Sequence, residues 1–274
     1  MAKYIMLNRK ILAANEPCLY YNNRGLVFGD AFSFQVRGNS SKSFFLNDNY
    51  QYLITTAEKL KMKIPENYKV FCLETDIELL LQKNRIYKEF SARITVFRND
   101  DTNFASILIS VEALQNEYYS LNETGLKIST CENYNINQNL LKHNHYFTPV
   151  EEVLLKQQIQ NSNIDNLLIT DENDNIIKTC DSNVFFVKDN HVFVPKEFIN
   201  DSNKMFSEYI LKIVSELNIK FSRIDIKTKD IKDLDEIFIV NPIIGINWVL
   251  AHGEKRFFRN ISIKIVEKLN KTLR

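Results

Sequence analysis

Ser91-Ala92-Arg93-Ile94-Thr95-Val96-Phe97-Arg98 alternates apolar and polar side chains, and the alternation resumes in Ala105-Ser106-Ile107-Leu108-Ile109-Ser110-Val111 after the polar turn Asn99-Asp100-Asp101-Thr102-Asn103. A period of two puts successive side chains on opposite faces, so the two runs read as strands joined by a turn. Upstream, Tyr50, Leu53, Ile54, Ala57 and Leu60 recur at helical spacing, with Leu46-Asn47-Asp48-Asn49 offering an N-cap and Lys61 and Lys63 closing the element. Val70 to Asn84 repeats the helical pattern. Shorter strands are expected at Tyr4–Leu7, Lys10–Leu12, Gly25–Phe28, Ala31–Val36 and Ser43–Leu46. Strands and helices mixed in this way predict an α+β first domain over residues 1–118.

Downstream the chain turns polar and rich in Asn and Tyr, around one strand at Gly125–Thr130, and residues 119–140 are expected to link two domains. The second domain, residues 141–274, opens with a helix at Pro149–Gln160. Strands follow at Asn166–Thr170, Ile176-Ile177, Asn183–Val187 and His191–Val194, then a helix over Lys204–Leu217. Strands at Phe221–Ile226 and Glu236–Val240 and a terminal helix at Ile261–Leu273 complete it. Two α+β domains predict a cleft between them.

With 274 residues, 45% hydrophobic and 12% aromatic, the chain can bury enough apolar surface to fold as a globular protein. Its 35 basic and 34 acidic residues leave a net charge of +1, so no global field favours nucleic acid or anionic lipid. No apolar run reaches membrane-span length. Cys18, Cys72, Cys131 and Cys180 form no C-x-x-C pair and no secretory segment precedes them, so reduced thiols and a cytoplasmic location are expected. Neither G-x-G-x-x-G, G-x-x-x-x-G-K nor G-x-S-x-G occurs. His143 and His145 are the only close histidine pair and lack an acidic or cysteine residue at supporting spacing, so no metal is expected. The chain holds 6 Gly and 5 Pro, well under their usual shares of about 7% and 5%.

The order of several segments adds a resemblance that spans nearly the whole chain. Asn23-Arg24-Gly25-Leu26-Val27-Phe28-Gly29-Asp30-Ala31, followed by Phe44-Phe45-Leu46-Asn47-Asp48-Asn49-Tyr50-Gln51-Tyr52-Leu53, resembles the opening R-x-x-x-Y-G-D-G-x-F-E and F-L-x-x-H-x-x-R-L of class IV aminotransferases. Arg93–Arg98, Gly125–Ile128 and Asp165–Ile169 are similar to later family strands. Asn175–Phe185 is similar to G-x-I-x-E-x-x-x-S-N-I-F, and Asp235–Asn241 with Gly245–Val249 is similar to the closing A-D-E-V-F-L-T-N and G-I-x-W-V. The resemblance implies the two-domain fold-type IV architecture of D-amino-acid aminotransferase-like enzymes, pyridoxal 5'-phosphate (PLP) as cofactor, a small-molecule amino substrate and a homodimer. It also puts Lys142, within Leu140-Leu141-Lys142-His143-Asn144, where the family's aldimine-forming lysine stands. The activities implied are those of an aminotransferase or an aminodeoxychorismate-lyase-like enzyme.

The departures fall on cofactor contacts. Tyr52 stands where the family has its phosphate arginine and Asn49 where it has histidine; a phenol gives up a bidentate ionic pair worth about 2–3 kcal/mol more. Lys178 stands where a glutamate pairs with the pyridine nitrogen. Two like charges about 4 Å apart cost about 4 kcal/mol at an effective dielectric of 20, so a protonated ring nitrogen is disfavoured there. The glycine-bearing phosphate loop reads Asn200-Asp201-Ser202-Asn203-Lys204-Met205-Phe206-Ser207, leaving Lys204 and Ser207 as replacement contacts, and the late T-N pair reads Val240-Asn241. Ala31 and Phe34 replace a glycine and a glutamate, and Tyr146 is a loose counterpart of a tyrosine near the family's lysine. Arg98 is a candidate for a substrate carboxylate by position alone, against a structural ion pair. Two readings stand open: a PLP enzyme using Lys142 with Tyr52, Lys178, Lys204, Ser207 and Asn241 around the cofactor, or an inactive member, without cofactor, serving as scaffold or binding module.

Overall fold

Phe34, Ile94, Ile109 and Met6 lie side by side across four strands, and this row carries the first half of the molecule. A computed structural model describes residues 2–99, 102–115, 118–136, 149–196, 198 and 201–273. It divides into two compact units, 1–118 and 119–274. The first contains β1 (Tyr4–Leu7), β2 (Lys10–Ala13), α1 (Arg24–Phe28), β3 (Ala31–Asn39), β4 (Lys42–Ser43), α2 (Leu46–Lys59), α3 (Val70–Asn84), β5 (Glu89–Arg98) and β6 (Ala105–Ala113). Its strands form a six-stranded sheet in the order β2-β1-β6-β5-β3-β4, antiparallel throughout.

Each member of the row is at most 2% exposed, because Leu53 and Ala57 of α2 and Leu73, Ile77 and Leu80 of α3 belong to the same core. Burying such a side chain stabilises the fold by about 1.5–3 kcal/mol. Two expectations are corrected here. Gly25–Phe28 is not a strand but part of α1: Asn23 accepts from the Leu26 amide at 3.2 Å, and Gly29 ends the turn at φ 66°. Four apolar residues fit either period, and the flanking Asn and Gly decide for a capped turn. Ser43–Leu46 is not a strand either, since pairing stops at Ser43 and α2 starts at Leu46. That helix is entered through Phe45 at φ 55° with no side-chain cap, while Asn49, expected within the cap, donates to the Phe45 carbonyl at 2.8 Å.

The second unit runs β7 (Leu126–Ile136), α4 (Pro149–Gln160), β8 (Asn166–Asp171), β9 (Ile176–Thr179), β10 (Asn183–Lys188), β11 (His191–Val194), α5 (Asp201–Glu216), β12 (Lys220–Arg223), β13 (Glu236–Asn241), β14 (Gly245–His252), β15 (Lys255–Arg256) and α6 (Asn260–Leu273). The sheet order is β12-β11-β10-β13-β14-β7-β8-β9, with β15 on β14. β7 and β8 are parallel, which requires a crossover, and α4 lies in it. The polar stretch read as a linker thus supplies β7 to this sheet. Glu236, 1% exposed on β13, accepts from the Ile261 and Ser262 amides at 2.8 Å each and so caps α6. Gly245 opens β14 at φ 80°, and a Cβ there would lie 2.4 Å from the Tyr119 ring. Glycine is required at that turn by conformation and by space.

Candidate functional site

The turn between β9 and β10 is held by a dense set of hydrogen bonds in the second unit. Thr179 donates to the Ser182 carbonyl through its amide at 2.9 Å and its hydroxyl at 3.1 Å, which closes Thr179-Cys180-Asp181-Ser182 into a tight loop. Three elements then fasten that loop. From α5, the Asn203 side-chain amide donates to the Asp181 carbonyl at 2.8 Å; from the end of β13, Asn241 donates to the same carbonyl at 2.8 Å. Asn183, the first residue of β10, donates to Ser207 Oγ on α5 at 2.9 Å. The Asp181 carboxylate accepts from Asn166 of β8 at 3.2 Å and from Ser182 at 3.0 Å.

Nearly all of this is buried. Ser182, Asn183 and Ser207 are 0% exposed and Asn203 is 4% exposed, so their bonds form away from competing water. Asn183 Oδ1 is buried and has no hydrogen-bond partner among the described residues. Burial, reinforced by Asp181 and Glu152, pushes the Cys180 thiol up to about 12, with Lys156 and Lys178 opposing. Cys180 is therefore an inert thiol at neutral pH.

The residues singled out in the sequence fall as follows. Ser207 and Asn241 meet in this network, both tied to the Asp181–Asn183 loop. Asn241 is used twice, since its Oδ1 also accepts from the Ile243 amide at 2.9 Å. Lys178 lies on β9 just before the loop, opposite Ile169 of β8, and is 2% exposed. Lys204, beside Asn203 on α5, is exposed. Tyr52 belongs to the first unit, where it is 9% exposed and meets Phe34 and Phe32 edge-on, with centroids 5.5 and 6.1 Å away. Lys142, Tyr146, His143 and His145 lie outside the described residues. Arg98 is an internal ion-pair residue: it donates to Asp30 at 2.8 Å and to the Leu60 and Lys61 carbonyls at 2.7 and 3.0 Å. Among the described residues no group of three or more His, Cys, Asp or Glu could hold a metal ion.

Asn203, Asn183 and the Asp181 carbonyl escaped the sequence reading as site residues. Asn203 and Asn183 sit inside the quoted segments, but the residue that gathers them acts through its backbone, which carries no side-chain signal. Asn203 and Asn241 each direct an amide N–H at the Asp181 carbonyl.

The amino-transferase class IV model matches residues 33–250. An aminodeoxychorismate lyase of Vibrio harveyi is 24% identical over 140 residues, 51% of this chain; the match spans about half of that relative, 52% of its length. A probable branched-chain-amino-acid aminotransferase of Rickettsia bellii is 22% identical over 278 residues, covering 97% of this chain and 93% of the relative. Among solved structures, an aminotransferase from Brucella abortus bound to the cofactor PLP is similar with a TM-score of 0.84 at 15% identity, covering 100% of this chain and 99% of that one. At this identity the likeness shows the fold, the two-domain α+β architecture of fold type IV.

Proposed function

The chain belongs to the amino-transferase class IV family, and we propose that within it this protein is an inactive, cofactor-free binding module and not a working transaminase or lyase. The observation that carries the reading is Lys178, a lysine 2% exposed on β9 at the position matching the family's pyridine-nitrogen glutamate. PLP chemistry of this family draws on a protonated ring nitrogen to take up electrons, and a lysine at that place cannot supply the carboxylate that stabilises such a proton.

Two further features support the same reading. Tyr52, at the place of the phosphate arginine, is packed edge-on against Phe32 and Phe34 and offers a neutral phenol in place of a fixed cation. Asn203 and Asn241, near the start of α5 where a phosphate would be sought, are turned onto the Asp181 carbonyl. The described residues therefore do not fit PLP as the family holds it.

A homodimer is part of the proposal. Tyr20, Tyr21, Leu26 and Phe28 are 77%, 90%, 68% and 71% exposed, an apolar segment suited to cover by a second copy of the chain. The four cysteines are free thiols, which supports a reducing cytoplasm. A second reading, the PLP enzyme, is favoured by the full-length match to a probable aminotransferase and by Lys142 in the sequence. Titration of the purified protein with PLP separates the two. The binding-module reading expects no visible absorbance band of a lysine-bound cofactor in the natural protein, and a gain of cofactor binding on combining Tyr52→Arg with Lys178→Glu. A band at micromolar PLP that disappears in Lys142→Ala overturns it.

A further inference from the structure

A cavity of about 860 Å³ opens in the first unit, between the start of β1, the C-terminal end of α3, the turn after it and the end of β6. Its wall is prebuilt by one side chain. Asn84 Oδ1 accepts from the Lys3 and Tyr4 amides at 2.8 and 3.0 Å, while its Nδ2 donates to the Tyr4 and Leu80 carbonyls at 3.0 and 2.9 Å. Arg85 follows at φ 59°, with its amide bonded back to the Gln82 and Leu81 carbonyls, so the backbone under its side chain is fixed.

Lys3, Lys83 and Arg85 line the cavity against Glu112, its one acidic lining residue among those described. None of the three cations has an ion-pair partner among the described residues. Lys83 Nζ stands 4.8 Å from the centre of the Tyr4 ring. Tyr87, lining the same cavity, is 67% exposed. The surplus of positive charge is local, since the whole chain carries only +1. A long polyanion would need a basic surface well beyond this cavity, whereas 860 Å³ lies within the range of about 300–1,000 Å³ typical of small-molecule sites.

We propose that this cavity binds a nucleoside phosphate, with its phosphates on Lys3, Lys83 and Arg85 and its base stacked on Tyr87. Arginine matches phosphate oxygens through two parallel N–H donors, and an exposed phenol ring stacks on a base of any sequence. The site goes beyond the family fold and is separate from the network around Asp181, so its test does not depend on PLP.

The experiment is calorimetric titration of the full chain with ATP, inorganic tripolyphosphate and adenosine, each without metal ions. ATP is expected to bind most tightly, tripolyphosphate more weakly and adenosine least. Lys83→Glu with Arg85→Glu should weaken ATP by about tenfold or more at an unchanged melting temperature. Tyr87→Ala should weaken ATP by about fivefold or more and leave tripolyphosphate unchanged. Lys3→Glu with Lys83→Glu provides a second charge reversal if the first pair lowers the melting temperature. Absence of ATP binding at millimolar concentration, equal binding by the charge-reversed protein, or equal affinity for ATP and tripolyphosphate each overturns the proposal.

Discussion

Asn241→Ala should destabilise the second unit by about 2 kcal/mol, because Asn241 makes two bonds and each is worth about 1 kcal/mol net. Its Nδ2 donates to the Asp181 carbonyl at 2.8 Å and its Oδ1 accepts from the Ile243 amide at 2.9 Å. Asn203→Ala removes one bond, to the same carbonyl, and should cost about 1 kcal/mol. In either single variant the Asp181 carbonyl keeps the other asparagine. In the double variant it loses both, so the two costs should exceed additivity by at least about 0.5 kcal/mol. The assay is urea unfolding followed by Trp248, the only tryptophan, which is 7% exposed and lies in the second unit. For a unit of this size, 2 kcal/mol corresponds to a melting shift of about 4–8 °C. If Asn241 served a ligand and not the loop, Asn241→Ala would leave the unliganded protein within about 0.5 kcal/mol of the natural one. That result, or strict additivity with Asn203→Ala, would refute the reasoning.

Ile94→Ala, at 0% exposure in the middle of the four-strand row, should cost about 2–5 kcal/mol in denaturant unfolding of the first unit. Gly245→Ala should lower the melting temperature, since φ 80° and a Tyr119 ring atom 2.4 Å from the new Cβ both oppose it, whereas Gly253→Ala meets no atom within 4 Å and bears only the φ 57° strain. Burial alone would raise the Asp30 carboxyl, but the bonds and charges of Arg98 and Arg24 outweigh it and hold it below its ordinary 3.8. Its stabilising contribution is therefore complete above about pH 3.8 and disappears as pH falls through the lower folded value, so Asp30→Asn should flatten the acid limb of a stability profile below that pH.

Much of the fold is legible in the sequence because its strands alternate cleanly. The Ser91–Arg98 and Ala105–Val111 runs fall within β5 and β6, and Pro149–Gln160 and His191–Val194 coincide with α4 and β11. Failures cluster where a segment is too short for its period to show, as at Gly25–Phe28, or where a backbone constraint outranks side-chain pattern, as at Phe45. β14 is legible only as the Gly245–Val249 motif, since Gly245 at its start and Asn247 near it hide a strand that pairs with the preceding β13 across a short turn and with the distant β7.

The candidate site is a different case. Segment order drew Ser207, Asn241, Lys178 and Lys204 together as expected cofactor contacts, and the structure separates them by burial, with Ser207 at 0%, Lys178 at 2% and Lys204 exposed. What could not be read is the shared partner of Asn203 and Asn241, because they converge on a main-chain carbonyl. The scarcity of glycine also takes on a structural meaning. Gly245 and Gly125 stand at positive φ against the rings of Tyr119 and Trp248, Gly38 lies under Phe90, and none of the 6 glycines lies at the start of α5.

The most direct test of the central claim is borohydride reduction of the full-length protein, both as purified and after saturation with PLP, followed by intact-mass and peptide mass spectrometry. The binding-module account predicts no stoichiometric pyridoxyl adduct at Lys142 in either sample, any labelling after PLP being substoichiometric and spread over exposed lysines. A single stoichiometric pyridoxyl adduct on Lys142 would contradict it and return the protein to the working enzymes of its family.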